Sequence, residues 1–139
     1  MNKKEFTSNN ITELKHNEIF VFGSNTEGRH GKGAALIAIQ KFGAVYGNPC
    51  GLQGNSYAII TKELRKDMPF ISLLMIATQI WMLILFAQGR PGLKFYVTKI
   101  GCNLAGYKVE DIANIFKILD RNVYGPIPNN IILPKEFII

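Results

Sequence analysis

The chain has 139 residues, a length that fits one domain and would leave two very small. Hydrophobic residues make up 47% and charged residues 19%, which excludes a disordered chain. The net charge is +6, spread as nine basic and five acidic side chains in residues 1–66 and seven and five in 67–139, so there is no basic block of the kind a duplex reader concentrates on one element.

Strands and helices alternate along the chain. Ile19–Gly23 is a short apolar run, which predicts a buried strand. Ser24–Lys32 is a polar, glycine-punctuated loop. Gly33–Phe42 predicts a helix, with Gly43 at its C-terminal stop. Ala44–Ser56 holds three glycines and a proline and predicts loop, with room for a short hairpin. Tyr57–Thr61 predicts a second strand and Leu93–Ile100 a third. In Val109–Leu119 the residues Val109, Ile112, Ala113, Phe116 and Leu119 follow helical spacing, with Glu110 and Asp111 favouring the dipole in the first turn. Asn130–Leu133 predicts a closing strand, stopped by Pro134. The pattern predicts a single α/β domain over 1–139, a three-layer arrangement with a mixed, mostly parallel sheet flanked by helices.

Residues 68–88 carry no charge. A 20-residue helix spans roughly 30 Å, about the thickness of a bilayer core. A membrane span would place the strands on opposite sides and cut the α/β pattern in two, so a membrane partner is not expected. The expected form is a helix from Ser72, its N-cap, with one face on the sheet and the other covered by a second subunit. That predicts a homodimer through helix 72–88. The opening residues hold no apolar run, so no signal peptide is expected. Cys50 and Cys102 form no disulfide framework, and free thiols point to a cytoplasmic protein. His30 and His16 are not paired in the pattern, so neither a metal site nor a cofactor is expected.

Ligands of parallel sheets bind at the carboxyl ends of the strands, which selects two loops. The first runs Gly23-Ser24-Asn25-Thr26-Glu27-Gly28-Arg29-His30-Gly31-Lys32-Gly33-Ala34. Its glycines let backbone approach a ligand, and the following helix N-terminus favours an anion. The second runs Gly101-Cys102-Asn103-Leu104-Ala105-Gly106-Tyr107. Both precede helices, so together they are expected to cradle a diphosphate. Between them Lys62 ends a strand, placed to neutralise a phosphate or, if desolvated, to attack a sugar carbon. His30 is a candidate acid or base. Cys102 lies near a helix start, a position that can lower a thiol's pKa, but no His–Cys pairing can be read from the sequence and it reads as a small loop residue.

Four segments carry a resemblance. They are Phe22-Gly23-Ser24-Asn25, Gly31-Lys32-Gly33-Ala34-Ala35 leading to Phe42-Gly43, Tyr57-Ala58-Ile59-Ile60-Thr61-Lys62, and Thr98 through Tyr107. In order, across about residues 19–133, they resemble macro domains, the ADP-ribose-binding family. The likeness is nearest to the terminal ADP-ribose protein glycohydrolase branch, and it extends to an uncharacterised bacterial and phage group. The resemblance implies that Asn25 approaches the distal ribose and that Gly31 to Ala35 line that ribose and the phosphates. It implies that Gly101 to Tyr107 wrap the diphosphate and that Lys62 matches the lysine attacking the anomeric carbon. Two departures stand out: Asn103 replaces a glycine, and Ala105 replaces the catalytic aspartate. Glu27, Glu63 and Asp111 are the candidate substitutes for that lost acid. The expected function is therefore binding of ADP-ribose or a related nucleotide diphosphate, with hydrolysis of an ADP-ribosyl linkage as the enzymatic form of the same reading. The alternatives are a protein-interaction domain working through helix 72–88 and a nucleic-acid binder, the latter less expected.

Overall fold

Ile19, Phe20, Val21 and Phe22 are all buried, so the first apolar run has no solvent face. Such a run belongs at the centre of a sheet covered on both sides. It is the heart of β1 (Glu18–Asn25). The computed structural model describes residues 5–67, 70–102, 105–122 and 124–138. After β1 come α1 (Gly33–Lys41), β2 (Gly51–Gln53), β3 (Ser56–Lys62), α2 (Leu73–Gln88), β4 (Lys94–Val97), α3 (Val109–Leu119) and β5 (Ile131–Ile132), with a short 3-10 turn at Lys135–Phe137.

The described strands form one sheet in the order β2-β3-β1-β4-β5. β1 pairs in parallel with β3 and with β4, and β4 pairs in parallel with β5. Only β2 runs antiparallel, as the short arm of a hairpin with β3. The fold is thus α/β with a mixed, mostly parallel sheet. Alternation along β1 splits its side chains between two cores. Phe20 and Phe22 join Ala58 on β3 and Ala38 and Phe42 of α1 on one face. Ile19 and Val21 join Ile59, Phe95 and Val97 against α2 and α3 on the other. Helices therefore cover both faces.

The third strand is shorter than Leu93–Ile100. Thr98 donates both its amide, at 3.1 Å, and its hydroxyl, at 2.7 Å, to the Val21 carbonyl, and the Ile100 amide turns back to the Thr98 carbonyl at 2.7 Å. That tight turn ends the ladder and sends Ile100 into the core. The 44–56 segment does hold a hairpin arm, β2, and the closing strand is reduced to two residues.

Helix α2 begins as its sequence predicts: the Met75 amide donates to Ser72 Oγ at 3.1 Å. Among the described residues no helix is long and apolar enough to cross a membrane. Gln79 on α2 serves the sheet. Its Nε2 donates to the Ile60 carbonyl at 2.8 Å, and its Oε1 accepts from the Ile60 amide at 2.7 Å. β2 pairs only with residues 56–58 of β3, so Ile60 lies beyond the hairpin arm. The Gln79 amide satisfies there the backbone groups that a neighbouring strand would otherwise take. Replacing Gln79 by Leu leaves both groups without these partners. The variant is expected to lose about 2 kcal/mol of stability, read as a lower urea midpoint at unchanged slope.

Candidate functional site

Because β1, β3 and β4 are parallel, their carboxyl ends meet on one edge. Gly23 marks the meeting point. A methyl group there would sit 3.0 Å from Thr61 Oγ1 on β3 and 3.8 Å from the Gly101 amide nitrogen in the loop after β4. The Thr61 hydroxyl donates to the Ser24 carbonyl at 3.3 Å, which ties the β1 and β3 ends together. Around this point opens a cleft of about 780 Å³. That volume lies within the range of small-molecule sites.

The first glycine loop forms one wall: Gly23, Ser24, Asn25, Arg29, Gly31, Lys32, Gly33, Ala34 and Ala35 all line the cleft. Asn25 shapes that wall from within. Its Oδ1 accepts from the Arg29 amide and its Nδ2 donates to the Arg29 carbonyl, both at 2.9 Å. The loop enters α1 at Lys32, whose side chain makes no capping bond, and no acidic residue sits in the first turn. The first amides of α1 have no intrahelical acceptor and stand at the cleft wall. Gly33 reaches the helix through a left-handed φ of 57°, with open space where a side chain would be.

The second loop supplies the opposite wall through Thr98, Lys99, Ile100, Gly101, Cys102 and Ala105. Gly101 has φ 76°, and a methyl there would lie 2.8 Å from Ile112 Cδ1 on α3, so only glycine fits. The Tyr107 amide donates to the Gly101 carbonyl at 3.0 Å and closes the loop base. Asn103 and Leu104, both expected at the ligand, lie outside the described residues.

Three expected ligand residues stand elsewhere. His30 is 1% exposed, seated edge-on against Phe22, and its Nε2–H donates to the Asn48 carbonyl at 3.0 Å. It anchors the loop from beneath and is not among the residues lining the cleft. Its Nδ1 is buried and has no hydrogen-bond partner among the described residues. Gly106 is exposed outside the lining. The Tyr107 hydroxyl donates to the Ile71 carbonyl, holding the loop to the lead-in of α2. The Cys102 thiol is partly buried. Burial raises its pKa, with Asp111 and Glu110 adding to the effect and Lys99 opposing it, so proximity to α3 does not make it a ready thiolate.

Sequence reasoning missed the wall made by Thr7, Ser8, Asn9, Asn10 and Ile11. The Thr7 amide donates to the Leu133 carbonyl at 2.9 Å and its hydroxyl to the Ile132 carbonyl at 3.0 Å, which lays this segment beside β5. A short polar run with no apolar periodicity carries no signal of such a position.

The electrostatics of the lining are one-sided. Arg29, Lys32, Lys62 and Lys99 line the cleft, and among the described residues no aspartate or glutamate does. Arg29 pairs with Glu27 at 2.8 Å and Lys99 with Glu136 at 3.1 Å. Lys32 and Lys62 have no carboxylate partner among the described residues. The candidate substitutes for the missing acid are all engaged: Glu27 by Arg29, Asp111 by the Lys108 amide at the start of α3, and Glu63 by Thr26 and Arg65. Lys62 is exposed, without the desolvation a nucleophilic lysine needs. Among the described residues no group of three His, Cys, Asp or Glu stands close enough to hold a metal. Comparisons of the chain with protein-family models, with curated proteins and with solved structures find no match.

Glu63 fastens the loops flanking Lys62. Its carboxylate accepts from Thr26 Oγ1 at 2.7 Å and from Arg65 at 2.8 Å, while the Thr26 amide donates to the Lys62 carbonyl at 3.0 Å. The Arg65 side chain, the Arg65 amide and Thr26 hold its pKa down at about 2, below the ordinary 4.5. A carboxylate depressed on folding stabilises the protein above its unfolded pKa and loses that contribution as pH falls through the folded value. Thermal melts from pH 4.5 to 2 are therefore expected to show a steeper loss for the wild type than for Glu63→Gln. The gap between the two, present at neutral pH, closes near pH 2.

Proposed function

We propose that the chain binds ADP-ribose or a related nucleotide diphosphate in the cleft at the ends of β1, β3 and β4. One observation carries this reading. Two glycine-bearing loops face each other across a cleft lined by four cationic side chains and, among the described residues, by no carboxylate. Arg29 and Lys99 are paired with Glu27 and Glu136, so the uncompensated positive charge that attracts an anion is that of Lys32 and Lys62. The uncapped start of α1 adds amide donors directed at the same space. The resemblance of these same segments to macro domains narrows the anion to a nucleotide diphosphate carrying a ribose. Gly23, Ser24, Asn25, Gly31, Lys32, Gly33 and Ala34 are the residues on one side of the ligand, with Gly101, Cys102 and Ala105 on the other.

Binding is favoured over hydrolysis of an ADP-ribosyl linkage. General acid–base chemistry needs a titratable group in reach of the bond that breaks. Ala105 lines the cleft where the glycohydrolase pattern has its acid, and the three candidate substitutes, Glu27, Glu63 and Asp111, are engaged elsewhere. Lys62 then serves as a phosphate or ribose contact.

Calorimetric titration with ADP-ribose, AMP, ADP and NAD at two salt concentrations checks this. ADP-ribose is expected to bind selectively with weak salt dependence, and Lys32→Ala to weaken it about tenfold. Lys62→Ala separates binder from enzyme. A binder loses affinity and has no turnover of ADP-ribosylated protein to lose, whereas an enzyme keeps affinity and loses turnover. Equal affinity for AMP with a steep salt dependence would instead mark a nucleic-acid binder and overturn the reading.

A further inference from the structure

A surface helix normally carries polar side chains on the face it turns to water. α2 does not. Its buried side is made by Ile76, Ile80, Leu83, Ile84 and Ala87. At 100° per residue, the opposite arc runs through Trp81, Leu74, Leu85, Thr78, Met82 and Met75. Leu74 is 76% exposed, Met82 58% and Met75 52%. The one polar residue of that arc is neutralised internally, since Thr78 Oγ1 donates to the Leu74 carbonyl at 2.9 Å. Exposed apolar side chains extend the arc, with Phe70 just before the helix and Tyr124, whose ring leans on Trp81 at 5.9 Å.

We propose that this face is the contact surface of a homodimer, in which α2 of one copy packs on α2 of a second copy about a two-fold axis. Three observations select a second copy. The first is charge. The chain carries +6, so two copies repel unless they meet on neutral ground, and residues 68–88 hold no charged side chain. A two-fold axis also sets each residue near its own twin, where any charge would face its like. The second is area. Six exposed apolar side chains (Phe70, Leu74, Met75, Met82, Leu85 and Tyr124), at roughly 200 Å² for each one fully exposed, present on the order of 750 Å². A stable pair needs about 800 Å² from each partner. The third is shape. Beside the apolar ridge, a groove of about 700 Å³ runs between α2 and the β2–β3 hairpin, walled by Tyr57, Ile60, Ile71, Met75 and Met82 and also by Glu27, Glu63 and Arg65, of which Glu63 and Arg65 are paired with each other. Ridge and groove on one surface are what an isologous contact uses. The groove and the ligand cleft share no lining residue.

Sedimentation equilibrium of the whole chain over a range of concentrations tests this. The wild type is expected to run at twice the chain mass. Leu74→Glu/Leu85→Glu, two changes at exposed positions, is expected to raise the dissociation constant by about two orders of magnitude. Circular dichroism of the variant should be unchanged, and Thr78→Arg, at the middle of the arc, should have the same effect. A wild type that remains monomeric at every concentration overturns the proposal, as does a dimer indifferent to these substitutions. A monomer that instead floats with vesicles containing anionic lipid also overturns it and assigns the face to a membrane surface.

Discussion

Everything at the cleft depends on β1 lying in parallel between β3 and β4. That register brings the ends of three strands to one edge, and Gly23 lets them close up. With no side chain at Gly23, Thr61 on β3 and the Gly101 amide after β4 both come within van der Waals distance of the position a methyl would occupy. The Thr61 hydroxyl then bonds the β1 backbone across the gap. Gly101 completes the arrangement, since its left-handed turn lays the second loop directly over Ile112. The cleft is the space these contacts leave.

Its electrostatic character follows from where carboxylates are spent. Glu63 clasps Thr26 and Arg65, Asp111 caps α3, and Glu27 and Glu136 pair with cations at the rim. Each is consumed in holding a loop or a helix end. Lys32 and Lys62 are left facing the cleft without a counter-charge among the described residues. Under the proposed reading such a lining favours holding a diphosphate over breaking a glycosidic bond, because among the described residues it offers positive charge and amide donors but no carboxyl group to move a proton.

Much of this was legible in the sequence because its signals were local. The buried strand at Ile19–Gly23, the helix from Gly33 and the Ser72 cap each rest on neighbours within one turn or strand. The juxtaposition of the two glycine loops followed from strand–helix alternation alone. Failures came where long-range contacts decide. His30 looked like a loop acid or base, yet the loop folds it under against Phe22 and the Asn48 carbonyl. Tyr107 looked like a ligand wrapper, but the Ile71 carbonyl captures its hydroxyl. The Thr7–Ile11 wall depends on pairing with residues more than 120 positions away, which no pattern within that segment encodes.

The central claim is that the two loops act as one binding surface. Amide chemical-shift mapping during an ADP-ribose titration tests it most directly, because it reports where the ligand sits as well as whether it binds. The account predicts concerted shifts at Gly23–Asn25, Gly31–Ala35 and Thr98–Cys102, with α2 silent. Shifts confined to α2 and the β2–β3 hairpin, or none at saturating ligand, would contradict it.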